Sequence, residues 1–383
     1  MTNIIEVFLQ KSNKLISFNV ILLILWIFTF QNCSSLVKSS KSVDFKYPEK
    51  VRVRLATVKE PVQIESDGDI KVTYKSNKEV HEAIYAYHPE DYSAGDRIFL
   101  EPKKGSFKFN GKDYRGNLEL YRTPKETLVI NHLALEEYLL SVVPSEMPPS
   151  WHIEALKAQA VAARSYAAFH INNSKSGIYD LENDTNSQMY NGIKSENPNS
   201  SKAVRDTKNI VMVYNNQPIK AFFHSHSGGI TESPEKVWGQ KVGYLKSVKS
   251  EYCNISKPLE WELKFDSNTL SGKLNKLGVG EISDIKILDT TPSGRVASLS
   301  IQGENGNVMV SGQDFRNLIG NTRIKSLLFD IVENENYFHI KGKGFGHGVG
   351  MSQYGSYGMA ISNYNFEDIL KYYYKDIDLV RIK

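Results

Sequence analysis

LALEEYLLSVVPSEMPPSWHIEALKAQAVAARSYAAFH, residues 133–170, places two helical patterns on either side of a proline-bracketed turn. Leu135, Leu139 and Val142 fall at helical spacing and end at the Pro144 break. Beyond the turn, Ser150 can cap a second helix. Ile153, Leu156, Ala160, Ala163, Ala167 and Ile171 share one face of it, with Glu154 in the first turn. Ala158, Ala160, Ala162, Ala163, Ala167 and Ala168 keep this helix slim, which predicts a central helix packed closely on several sides. Between the two patterns, Pro144-Ser145-Glu146-Met147-Pro148 holds one carboxylate. Proline fixes its own φ and pushes the preceding residue toward extended backbone, so Glu146 is expected on a stiff, non-helical segment. A helix starting near Ser150 would aim backbone N–H groups and a positive dipole end toward it. An isolated P-S-E-M-P reads equally well as a surface turn, so the weight of Glu146 depends on the rest of the chain.

N-terminal to this stretch the pattern is β. VRVRLATV from Val51, VQIES and IKVTYK alternate or carry β-branched residues, and Phe107-Lys108-Phe109-Asn110-Gly111-Lys112 is a hairpin signal. Residues 48–130 are therefore expected to form a β-rich part, followed by a core over 131–383. Inside that core, a second hairpin turns at Asn215-Asn216, and a β-rich insertion at about 259–333 turns at Pro292-Ser293-Gly294 with a short helix near Gln313–Leu318. A strand at Tyr337–Lys341 leads into a glycine-dense loop, and a last helix turns Ile369, Leu370 and Tyr373 inward. The expected class is α+β.

The 383 residues carry a formal net charge of +4 with no basic stripe, which argues against a nucleic-acid partner. Lys11 and Lys14 precede an uncharged apolar run, Leu15 to Phe30, laid out like a secretory signal. Cys33 follows it as in the lipobox of bacterial lipoproteins, although Asn32 stands where Gly or Ala is usual. On that reading residues 1–32 are a signal sequence, Cys33 is the lipidation site and 33–47 a Ser/Lys-rich tether; an uncleaved membrane anchor is the alternative. Either way the protein is expected in the cell envelope, exported and membrane-anchored. Only Cys33 and Cys253 exist, so no disulfide framework is expected.

Three polar loops accompany Glu146. Asp184 to Gly192 (DTNSQMYNG) offers amides, hydroxyls and Tyr190, suited to hydrogen-bonding and stacking on a polyol. His224-Ser225-His226-Ser227-Gly228-Gly229 places small residues at a strand end, where a ligand can approach the backbone. Gly342 to Gly355 (GKGFGHGVGMSQYG) alternates glycine with other residues; it lacks both Walker and G-x-G-x-x-G spacing and suits close approach of its backbone to another chain. A structural turn explains each loop taken singly. His224, His226 and Cys253 are zinc-compatible, but no H-E-x-x-H or C-x-x-C spacing supports a metal, and none is expected. No G-x-S-x-G elbow marks a serine nucleophile.

Taken in order, LALEEYLLSVVPSEMPPSWHIEALKAQAVAARSYAAFH, DTNSQMYNG, AFFHSHSGGITESPEKVWG and GKGFGHGVGMSQYGSYGMA closely resemble the SpoIID/LytB family, the stage II sporulation protein D-like domain. The resemblance implies a central helical segment packed with antiparallel β-rich subdomains around a glycan-binding cleft. It also implies a lytic transglycosylase cutting the MurNAc–GlcNAc bond of peptidoglycan to a 1,6-anhydroMurNAc end, without a cofactor. Glu146 matches the family's catalytic glutamate. Gln188, Tyr190, His224, Ser227, Gly228, His347, Gln353 and Tyr354 are the candidate substrate contacts; His226 stands where the family commonly carries a small or hydroxyl residue. The alternative is a non-catalytic amidase enhancer that binds glycan and stimulates or recruits a cell-wall hydrolase. Peptidoglycan glycan strands, the membrane and a cell-wall amidase are the implied partners.

Overall fold

Alternation of apolar and polar residues builds the first layer. In β1 (Lys50–Val58), Val51, Val53 and Leu55 are buried while their neighbours are not. β1 lies in a seven-stranded sheet ordered Leu181–Glu182, β1, β2 (Thr127–Ala134), Asn117–Arg122, Arg97–Pro102, Ile70–Tyr74 and Asn77–His81. All neighbours run antiparallel except Leu181–Glu182, which is parallel to β1. A four-stranded sheet beside it ends in the hairpin read from the sequence. There Asn110 and Gly111 both take positive φ, 48° and 73°, between Ser106–Phe109 and Lys112–Arg115.

This computed structural model describes residues 38–39, 45–174, 177–256, 259–334 and 337–382, and residues 39–383 form one compact unit. The signal-type run, Cys33 and residues 40–44 of the tether lie outside the described residues. Among the described residues no helix is long and apolar enough to cross a membrane.

β2 runs straight into α1 (Leu135–Glu146), which buries Leu135, Tyr138, Leu139, Val142 and Val143. Contrary to the expected break, α1 continues through Pro144, which occupies its last turn. There the missing N–H forfeits one hydrogen bond close to the helix end, and the buried valines before it hold the turn in place. The stop comes three residues later. Met147, the residue before Pro148, is extended (φ −129°, ψ 144°), and its N–H still reaches Val143 O at 3.0 Å.

α2 (Ile153–Asn172) is buried from Ala155 to Ala168 except at Lys157, as its alanines predict. Its cap is His152 and not Ser150: His152 Nδ1 accepts from Glu154 N at 3.3 Å. Ser150 lies inside a tight turn closed by Trp151 N donating to Pro148 O at 3.0 Å, and is spent there. β3 (Ile210–Tyr214) and β4 (Phe223–His224) follow. β5 (Glu260–Phe265) and β6 (Tyr337–Lys343) form a three-stranded sheet with Phe329–Asn334. With a three-stranded meander over 282–311 they enclose a separate core running from Trp261 to Ile340.

The chain closes with α3 (Gln353–Ile361), α4 (Phe366–Tyr373) and β7 (Asp378–Arg381). α4 turns Ile369, Leu370 and Tyr373 inward, as read from their spacing. α3 replaces the end of the expected glycine loop. Ser352 caps it, and Gly355 is there for packing: a Cβ on it would stand 2.0 Å from Tyr373 Oη. β7 pairs antiparallel with β3, and Met351–Ser352 pairs parallel with β4. The class is α+β.

Candidate functional site

Glu146 is the last residue of α1, so it faces the negative end of that helix and not the start of the next one. Its Oε1 accepts from Met189 N at 2.8 Å and its Oε2 from Gln353 Nε2 at 3.4 Å. Among the described residues no ion pair reaches it. Burial pushes its carboxyl above the usual carboxylate range, and the two neutral donors offset only part of that rise. The helix end acts in the same direction as burial, which reverses the sign expected for a helix start.

Three positions on the last turns of α1 hold the 183–192 loop. Asn191 N donates to Ser141 Oγ and Asn191 Nδ2 to Ser145 Oγ, each at 3.2 Å, while Met189 N reaches Glu146. Gln188 and Tyr190 flank Met189 and turn the other way. Gln188 Oε1 accepts from Tyr138 Oη at 3.3 Å and its Nε2 donates to Ala163 O at 3.4 Å. Tyr190 is 2% exposed, donates to Asn131 Oδ1 at 2.8 Å and packs on Tyr138 and Tyr114. The ring stacking expected of Tyr190 is thus taken up by the protein's own tyrosines, and these two side chains anchor the loop that delivers an N–H to the acid. Two buried phenols, Tyr138 and Tyr166, lie near enough to the acid to feel its charge. Both phenols are raised by burial first and then by the Glu146 charge, Tyr166 to about 12.

Gln353, the first residue of α3, is the predicted contact that touches the acid directly. Tyr354 follows it; its ring meets Trp151 edge-on at 4.9 Å and lies 5.6 Å from His226, and Trp151 stacks on Tyr357 at 4.7 Å. The glycine loop does approach a chain closely, but that chain is its own segment 222–228. A Cβ on Gly344 would lie 2.6 Å from His226 O, and one on Gly350 2.0 Å from Phe222 O; both take positive φ. His226 and Phe345 exchange backbone hydrogen bonds at 3.0 and 2.8 Å, which closes the seam.

The histidines and small residues of the second loop are mostly inside. His224 is buried with Nδ1 against Val349 O at 3.1 Å, and burial holds it well below the usual histidine range. His347 accepts from Val349 N through Nδ1 at 3.0 Å and is pushed down to about 4, chiefly by burial. Ser227 Oγ lies 3.0 Å from Cys253 Sγ, whose sulfur also meets Ser250 Oγ and Ser352 Oγ at 3.0 and 3.1 Å. Gly228 packs beneath Leu328, with 2.7 Å from a built Cβ to Leu328 Cδ2. Gly228 and the Ser227 carbonyl tie the loop to the 259–343 region, where Arg295 Nη2 donates to Ser227 O at 2.7 Å. Among the described residues no group of three or more His, Cys, Asp or Glu side chains is placed to hold a metal, so His224, His226 and Cys253 form no such set. A depression of about 640 Å³ lined by Glu260, Trp261, Leu328 and Lys343 includes none of the residues around Glu146.

The Met189 N–H and Tyr166 are the groups acting on Glu146 that the sequence did not point to. A backbone donor leaves no signature in residue types. Tyr166 is foreshadowed only by its helical spacing from Ala163, whose carbonyl meets Gln188.

A family profile described as Stage II sporulation protein matches residues 123–214, which span Glu146 and its loop. Over 274 residues the chain is 34% identical to stage II sporulation protein D of Bacillus subtilis, covering 68% of this chain and 77% of that protein. The chain belongs to the SpoIID/LytB family. This SpoIID/LytB chain is also 36% identical over 349 residues to an uncharacterized protein of Brachyspira hyodysenteriae, covering 86% of this chain and 92% of that one. It is 32% identical over 335 residues to the amidase enhancer of Bacillus subtilis, covering 75% of this chain but only 45% of that longer protein. A second profile, described as Domain of unknown function (DUF8618), matches residues 235–350.

Proposed function

We propose that this chain acts on the bacterial cell wall as a peptidoglycan lytic transglycosylase, with Glu146 as its acid and then its base. The observation that carries this reading is a carboxyl raised by burial that, among the described residues, is met by two neutral donors and no cation. Hydrolases of glycosidic bonds ordinarily need a second carboxylate, as nucleophile or to activate water. A lytic transglycosylase does not, because the substrate supplies the attacking hydroxyl.

Met189 N–H fixes Oε1, leaving Oε2, with its long contact to Gln353, as the oxygen that exchanges the proton. Glu146 donates that proton to the bridging oxygen between MurNAc and GlcNAc as the C1–O bond breaks. The C6 hydroxyl of the same MurNAc then bonds to C1 and returns its proton to the Glu146 carboxylate, leaving a 1,6-anhydro end and a restored acid. Gln353 suits both states: its amide nitrogen donates to the carboxylate, and its oxygen can accept from the acid after rotation.

The test is digestion of purified glycan strands followed by mass analysis of the ends. Anhydro-muramyl ends from the wild type and none from Glu146→Gln are expected; reducing ends would mean hydrolysis instead. Similarity to the amidase enhancer favours a second reading, a glycan binder that stimulates a separate hydrolase. Intact strands with wild-type protein, together with faster cleavage by an added amidase, would establish that reading in place of the first.

A further inference from the structure

Trp238 ends a short helix, Pro234–Trp238, and is 44% exposed although its ring is firmly held. Phe222 stacks beneath it at 4.5 Å with 28° between the planes, and His347 stands 5.3 Å away. Lys220 Nζ lies 4.8 Å from the centre of the Phe222 ring, so a cation sits beside the pair. Phe222 in turn meets Tyr166 edge-on at 6.1 Å, and the Tyr166 phenol lies near enough to Glu146 to feel its charge. A large flat side chain braced by other rings yet left open to water loses little entropy on binding and presents an apolar face with polar groups at its rim.

We propose that Trp238 is a stacking platform for a pyranose ring of the glycan strand, at a subsite removed from the bond that Glu146 attacks. The ring contacts run from Trp238 through Phe222 to Tyr166, a phenol within range of the Glu146 charge, which favours a sugar over a docking protein. Pyranose rings carry C–H groups on their faces and hydroxyls at their edges, matching an open indole face with the His347 ring at its border. Binding at such a remote position lets substrate affinity hold the strand in register over the acid. The inference rests on Glu146 acting on a glycan.

The decisive experiment separates binding from cutting. Full-length Glu146→Gln protein is co-sedimented with purified peptidoglycan, with and without Trp238→Ala. About tenfold weaker binding is expected from loss of the platform. Trp238→Tyr, which keeps a ring in place, recovers most of the binding; Trp238→Leu, which keeps apolar bulk without a flat face, does not. In the cutting-competent protein, Trp238→Ala lowers kcat/KM on long strands and leaves the shortest cleavable oligosaccharide unaffected. Undiminished sedimentation of the alanine variant, or recovery by leucine, overturns the proposal. If wild type makes no anhydro ends while Trp238→Ala still weakens sedimentation, the transglycosylase reading falls and the platform stands.

Discussion

The two ends of α1 carry glutamates in opposite circumstances. At the first turn, Glu136 is gripped by the fully buried Arg164, with Nε and Nη2 at 2.7 and 2.8 Å from its two oxygens. Arg164 also donates to Ile210 O and Val204 O, and Tyr47 Oη donates to Glu136 Oε1 at 3.0 Å. At the last turn, Glu146 has an N–H and an amide and, among the described residues, no cation. The contrast separates two uses of one residue type. A carboxylate that holds the fold is neutralised by a cation in fork geometry, whereas Glu146 is left with neutral donors, the setting an acid that carries a proton would need.

The largest effect expected from breaking this contrast is on catalysis. Glu146→Gln should cut the yield of anhydro ends by about 10²–10⁴-fold while leaving the folded population intact, checked by end analysis beside thermal unfolding. At the other end, Arg164→Met strands the Glu136 carboxylate and should cost about 3–5 kcal/mol, read from the denaturant midpoint. Activity per folded molecule should not change. If it falls in proportion to that of Glu146→Gln, the two glutamates are not separate in function. Gly350→Ala forces a side chain into left-handed backbone against Phe222 O and should lose about 1–3 kcal/mol by the same readout.

The smaller effects concern protons. Because the folded pKa of Glu146 is raised, the stability of its protonated form is fully present below the unfolded carboxyl value and is lost as pH rises through the folded one. The thermal midpoint of Glu146→Gln should therefore gain on that of the wild type between pH 4 and pH 8. A variant midpoint that falls relative to the wild type with rising pH would contradict a raised acid. Gln353→Leu removes a donor that favours the carboxylate, so the basic limb of the kcat–pH profile should move to higher pH. A shift to lower pH would mean that Gln353 acts chiefly on the neutral acid.

Periodic features were legible in the sequence. The alanine-rich α2, the Asn110-Gly111 hairpin and the inward residues of α4 follow from spacing and turn chemistry, which act locally. Pro144 and Gly355 misled because tertiary contacts override local preference: buried valines carry α1 through a proline, and Gly355 admits Tyr373 against α3. Around the acid, Gln353 touches Glu146, while Tyr190, His224 and Ser227 are buried against partners of their own chain. A polar side chain in a small-residue loop has the same composition whether it satisfies a substrate or Asn131, Val349 and Cys253 of its own chain. Only the folded backbone distinguishes the two.

Glu146 and Gln353 lie 207 positions apart, and β7 at the chain's end zips onto β3 near its middle. During synthesis the acid therefore emerges long before the segment that covers it. Until then the carboxylate stays solvated and ionised at neutral pH. The surroundings that raise the Glu146 carboxyl are thus completed only when α3, translated long after it, docks on α2.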